Sequence, residues 1–291
     1  MKGAIMDQKY VDLFDEFTHG KMNRRDFMER LAKLAGGAAA AATLVPILQN
    51  NYAEAGIVPE DDERLVSETA TYDVDGVTMS GYLARPKGGG KRPGVIVIHE
   101  NRGLNPHIKD VARRMALEGF LAFAPDALSP VGGTPADEDR AREMIYELDR
   151  DATLARMVAA VSFLAGHAES SGKVGAIGFC WGGGMVNKLA AAGTSLAAGV
   201  PYYGSQIPVE EVPKISAPLC LQYAGLDKRI NEGIDDFVTA LKANNKAFEI
   251  HIYEGANHAF NNDTNEARYD KEAADLAWGR TVEFLKGHLA G

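Results

Sequence analysis

The chain has 291 residues, 46% of them hydrophobic and 24% charged, and a net charge of −9. That length suits one large α/β domain, and the acidic balance argues against nucleic acid or an anionic membrane surface as a partner. Two cysteines rule out a disulfide framework, and the seven histidines form neither H-x-H nor H-E-x-x-H, so no metal is expected.

The first segment reads as a leader. Asn23-Arg24-Arg25-Asp26-Phe27-Met28 resembles a twin-arginine export signal, and a run from Leu31 to Leu48, rich in alanine and glycine, follows it without acidic residues. Ala53-Glu54-Ala55 offers a small-x-small cleavage site. The expected location is therefore periplasmic, or cytoplasmic if the leader is unused, with an amphipathic N-terminal helix as the other reading. Eighteen weakly apolar residues are too few for a stable membrane span. Residues 1–55 are set apart as this leader, and 56–291 as one domain.

From Arg64 onward the pattern is a hairpin, then alternating strands and helices. Ser67–Tyr72 and Val77–Ala84 flank Asp75-Gly76, a pair that tolerates the positive φ of a type I′ turn. Gly94–His99 is the apolar run of a strand buried on both faces. A helix at Ile108–Glu118, a strand at Leu121–Ala124, a loop through Ser129–Pro135 and helices near Ala136–Leu148 and Ala152–Ala165 follow. Strands are expected at Lys173–Ile177, Ala197–Tyr203, Leu219–Tyr223 and Phe248–Tyr253, and helices at Met185–Ala191, Ile234–Ala243 and Ala267–Lys286. Such alternation means an α/β fold with a mostly parallel sheet and helices on both faces. Cys220 falls inside an apolar run and reads as a buried strand residue.

Gly178-Phe179-Cys180-Trp181-Gly182 joins a strand-like run to a helix-like run. It resembles the nucleophile elbow of the α/β-hydrolases, with cysteine in place of the usual serine. A cysteine nucleophile needs a base and an acid that orients the base. Asp227 follows the strand Leu219–Tyr223, and His258 follows Phe248–Tyr253, so both fall at strand C-terminal ends. The order Cys180, Asp227, His258 is that of the hydrolase triad. Asp263 and Asp235 are fallback acids. An oxyanion hole would use the backbone N–H of Trp181 and a second from the loop His99–Gly103, with Asn101 the candidate and its side chain dispensable.

From about Glu68 to the C-terminus the chain resembles the dienelactone hydrolase family (carboxymethylenebutenolidases). The resemblance is carried by the cysteine elbow, Gly225-Leu226-Asp227, Asn257-His258-Ala259-Phe260, and Glu100 before a short glycine-containing loop. It implies the α/β-hydrolase fold, no cofactor, and a glutamate, here Glu100, that contacts the resting thiol until substrate displaces it. It also implies arginines that hold a substrate carboxylate. Asp137–Tyr146 resembles the helix supplying one of them, with Arg142 and Tyr146 four apart on one face. The second arginine is missing: the chain reads Phe260-Asn261-Asn262-Asp263 after the histidine. That departure points away from dienelactone itself.

The expected function is hydrolysis of a small ester or lactone through an acyl-cysteine. A thioesterase or general carboxylesterase on the same triad, or a non-catalytic binding protein of this fold, are the alternatives. His99 and Trp181 are expected to line the pocket.

Overall fold

The computed structural model describes residues 6–20, 22–52 and 56–290; the Ala53–Ala55 cleavage site lies outside them. Three helices come first: α1 (Gln8–His19), α2 (Arg24–Ala35) and α3 (Ala38–Leu48). The rest of the chain runs β1 (Leu65–Val74), β2 (Val77–Pro86), β3 (Arg92–Ile98), α4 (Pro106–Leu117), β4 (Leu121–Pro125), α5 (Glu138–Glu147), α6 (Arg150–Ala165) and β5 (Ser170–Phe179). It continues through α7 (Trp181–Ala191), β6 (Leu196–Tyr202), β7 (Leu219–Ala224), α8 (Lys228–Asn231), α9 (Ile234–Ala243), β8 (Phe248–Tyr253) and α10 (Lys271–Leu289).

The strands form one eight-stranded sheet in the order β1-β2-β4-β3-β5-β6-β7-β8. β1 pairs with β2, and β2 with β4, antiparallel; all other neighbours are parallel. Asp75 (φ 52°) and Gly76 (φ 75°) make the left-handed pair that the β1–β2 hairpin needs. Val95 to Ile98 in β3 are fully buried because helices cover both faces. Met157, Val161 and Leu164 of α6, Val186 and Leu189 of α7 and Phe237 of α9 pack on one face. Ile108, Val111 and Met115 of α4 and Ala277 and Leu285 of α10 pack on the other. Cys220 is buried in β7, as its apolar context implies.

α10 starts at Lys271, four residues later than expected, because Asp270 accepts from the Ala273 N–H and caps it there. The preceding residues instead meet the N-terminal helices, with Ala267 packed against their core.

α1 to α3 have a small core of their own: Leu13, Phe14, Phe17, Phe27, Leu31, Ala41 and Leu48. Phe17 stacks on Phe27 at 4.6 Å between centroids. Asn23 caps α2 by accepting from the Asp26 N–H, and Gly36 ends it in the left-handed region at φ 83°. No single helix among the described residues is long and apolar enough to cross a membrane; α2 and α3 together would be, but they bend by 114°. The segment set apart as a leader is thus, in this structure, folded against the C-terminal ends of the strands. Its signal is the amphipathic spacing of Leu13, Phe14 and Phe17 in α1.

Candidate active site

Cys180 stands between β5 and α7 with φ 55° and ψ −113°, a backbone region costly for any side chain. The turn closes only because its flanking glycines lack Cβ atoms. A Cβ on Gly178 would lie 2.2 Å from the Gly182 carbonyl oxygen, and one on Gly182 would lie 2.4 Å from that of Ile98. Tyr203 (φ 37°) and Ala259 (φ 65°) share the left-handed region beside it. Strained non-glycine residues thus gather around one sulfur.

His258 follows β8, and its Nδ1 lies 2.5 Å from Asp227 Oδ2 with both residues buried. Asp227 Oδ1 also accepts from the Ile230 N–H, so one carboxylate caps α8 and orients the imidazole. Burial alone would favour the neutral ring, but the charges of Asp227 and Cys180 outweigh it and raise His258 to about 9. Burial likewise opposes ionisation of Asp227, while the His258 charge and hydrogen bond and Arg229 hold its carboxyl below the usual range. His258 Nε2 is buried without a hydrogen-bond partner. Donor atoms of His258, Cys180 and a third residue, His19, lie within 4.8 Å of one another. The fallback acids are elsewhere: Asp263 pairs with His107 at 2.9 Å, and Asp235 is exposed on α9.

Glu100 borders the small cavity beside Cys180. Its Oε2 accepts from Asn262 Nδ2 at 2.9 Å, and its buried Oε1 has no partner. The thiol instead meets His19 Nε2, 3.1 Å from Sγ, so the contact that the family resemblance assigned to Glu100 is made here by α1. Trp181 opens α7 directly after the cysteine, and Asn101 is buried in the loop after β3. Asn101 is no passive side chain: its Nδ2 donates to the Thr18 carbonyl (3.1 Å) and to the Tyr146 hydroxyl (3.2 Å). His99 is fully buried and stacks on Trp181 at 5.3 Å, supporting the indole instead of lining the pocket.

A cavity of about 240 Å³ opens from Cys180 past Trp181, Tyr146, Tyr203, Ser205 and Arg229. Tyr146 thus lines a cavity shared with Cys180. Arg142 does not line this cavity. It donates to the Phe17 carbonyl at 2.9 Å, with its guanidinium 4.3 Å over the Phe17 ring. The last turn of α1 leaves carbonyls without intrahelical partners, and those of Phe17 and Thr18 meet Arg142 and Asn101. Sequence reading missed this whole side of the site, including Asp15, His19 and Arg229. Arg229 Nε lies 3.6 Å from Asp15, and Nη2 lies 3.5 Å from His258 Nδ1. An acid and a histidine at i and i+4 in α1 were the available signal.

A mixed, mostly parallel sheet with a strained cysteine at a strand-to-helix turn places the molecule among proteins of the α/β-hydrolase fold. The model of the dienelactone hydrolase family matches residues 79–289, and the chain belongs to that family. A protein described as "Putative carboxymethylenebutenolidase" from Saccharolobus solfataricus is 33% identical over 251 residues, covering 74% of this chain and 96% of its own. Protein usf of Aquifex pyrophilus is 35% identical over 232 residues, covering 77% of this chain and 100% of its own. The crystal structure of a "Putative Dienelactone Hydrolase" from Klebsiella pneumoniae superposes with a TM-score of 0.70 at 31% identity, covering 76% of this chain and 98% of that one. Residues 4–37 match a separate family model, described as YqhI-like.

Proposed function

We propose that the protein hydrolyses a small carboxylic ester or lactone through an acyl-cysteine formed on Cys180. The observation that carries this reading is the elbow cysteine at φ 55° with the Asp227–His258 pair beside it. Sγ, having first given its proton to His258 Nε2, attacks the substrate carbonyl as the thiolate of a thiolate–imidazolium pair, and Asp227 holds the ring from Nδ1. The tetrahedral oxyanion is received by the backbone N–H groups of Trp181 and Asn101, fixed dipoles that need no rearrangement. Collapse breaks the acyl–oxygen bond. His258 then protonates the departing alkoxide, which in a lactone stays tethered to the acyl group. Water, deprotonated by the same imidazole, cleaves the thioester and returns the thiol.

A cavity of about 240 Å³ fits a compact substrate. Tyr146 and Arg229 on its wall can meet an acyl oxygen or a carboxylate. Arg142 reaches substrate only by giving up the Phe17 carbonyl. Glu100 is assigned to the thiol through its unpaired Oε1, across the cavity that the two residues share. Export through the Asn23–Met28 motif is proposed for the chain with α1 retained, and N-terminal sequencing of protein recovered outside the cytoplasm tests it: a start after Ala55 would mean that α1 is removed.

Turnover of short aryl esters and of five-membered lactones is the direct test. Cys180→Ala should lose it by at least about three orders of magnitude. Unchanged turnover in that variant would refute the cysteine mechanism.

A further inference from the structure

Two histidines approach Cys180 from opposite origins in the chain, and they are held alike. His258 Nδ1 is bound to Asp227 at 2.5 Å. His19 Nδ1 is bound to Asp15 at 3.0 Å. Each ring is therefore locked through Nδ1 by a carboxylate and presents Nε2 toward the sulfur. His19 Nε2 is 3.1 Å from Sγ, and His258 Nε2 is buried and unpartnered.

Two imidazoles and a thiol, with a carboxylate behind each ring, form the donor set and the outer shell that zinc selects. A tetrahedral zinc needs ligand atoms about 3.3–3.6 Å apart, from Zn–N of about 2.0 Å and Zn–S of about 2.3 Å. The three donor atoms already lie within 4.8 Å of one another. The carboxylates of Asp15 and Asp227 and a cysteine thiolate balance the dication together with the Arg229 guanidinium. His19, Cys180 and His258 all line the cavity bordered by Tyr146 and Ser205, where water can complete the shell. The residues are too far apart in sequence for any spacing motif to mark them.

We propose that His19, Cys180 and His258 form a three-ligand site for a thiophilic divalent cation, zinc above all, assembled when α1 is docked. On binding, the thiol proton and any proton on the two Nε2 atoms leave to solvent, so that the sulfur coordinates as thiolate and both rings as neutral imidazoles. The metal occupies both the nucleophile and its base, so the loaded enzyme is silent toward esters. This site uses the geometry around Cys180 and does not depend on a hydrolytic role for the cysteine.

The test is titration of the metal-free full-length protein with Co²⁺, followed by absorption. One equivalent should produce a thiolate-to-cobalt charge-transfer band in the near ultraviolet with visible bands of tetrahedral intensity, and Zn²⁺ should displace it stoichiometrically. Cys180→Ser should abolish the charge-transfer band. His19→Ala should weaken Co²⁺ binding by about 100-fold or more, and Asp15→Asn, which keeps the ligand but frees its ring, by about 10-fold. Circular dichroism checks that each variant folds. Absence of the band in wild-type protein, or equal affinity in wild type and His19→Ala, would overturn the site. Failure of the hydrolytic reading is separately visible, as turnover that persists in Cys180→Ala.

Discussion

Replacing Asp227 with asparagine should move the ionisation of His258 across neutrality and, with it, the pH range in which the enzyme works. In the wild-type fold His258 rises from 6.5 to about 9 although its burial acts in the opposite direction. That rise corresponds to about 3 kcal/mol in favour of the imidazolium. Asparagine preserves the volume of Asp227 and its cap on α8 but removes the charge, so burial takes over and the ring should titrate below its ordinary 6.5. The sign for stability follows from the raised value. The folded state holds the extra proton, so this contribution is complete below pH 6.5 and is lost as pH rises through about 9. Wild-type protein should therefore lose up to about 3 kcal/mol from this group across that window, and Asp227→Asn should lose little there. The same variant should reduce kcat by about 10³–10⁴, because the ring loses its orienting acceptor. Urea unfolding at several pH values and a pH profile of kcat/KM test both halves. A variant that retains the alkaline limb near 9, or more than a tenth of wild-type kcat, would refute the reasoning.

Gly182→Ala puts a Cβ 2.4 Å from the Ile98 carbonyl oxygen and 2.5 Å from that of His99, backbone atoms that cannot rotate away. It should cost about 3 kcal/mol and most of the activity, read as a lowered Tm; an unchanged Tm would show that the elbow has slack. Leu31 is fully buried among the aromatic residues of α1 and α2. Leu31→Ala should destabilise the N-terminal helices by about 2–5 kcal/mol, seen as faster amide exchange in residues 8–48 and slow exchange preserved in β3 and β5. Equal acceleration in the sheet would mean that the helices and the hydrolase domain unfold together.

Much of the fold was written locally. Asp75-Gly76 could turn the first hairpin, the run at Gly94–His99 had the composition of a doubly covered strand, and strand and helix periods alternated afterwards. Cys180, Asp227 and His258 could be picked out because each follows a strand, and parallel strands deliver their C-terminal ends to one edge. The order of strands within the sheet has no local signature, since it depends on which crossover packs on which face. The N-terminal half of the site was illegible for the same reason. His19 reaches Cys180 across 161 residues, and the Asp15–His19 pair at i and i+4 marks a held imidazole but not the sulfur it meets. Arg142 was expected to hold a substrate carboxylate; it lies on α5, but its partner in this structure is a backbone carbonyl of α1. No side-chain pattern encodes such an acceptor.

The docked helix and the hydrolase domain are energetically coupled through the groups they share. Arg142 and Asn101 are buried, and their donors are satisfied by the carbonyls of Phe17 and Thr18. Lifting α1 leaves those donors to be met by something else, at about 1–3 kcal/mol for each one left unpaired. A substrate carboxylate can repay that cost at Arg142, but only by competing with Phe17 for the same guanidinium. A cation on His19 acts in the opposite sense, because it binds only where α1 is in place. By linkage, each ligand must shift the docking of α1 by as much as docking shifts its own affinity. Ligands of opposite charge thus act on the same helix with opposite signs. The position of His19 is the coordinate through which they do so.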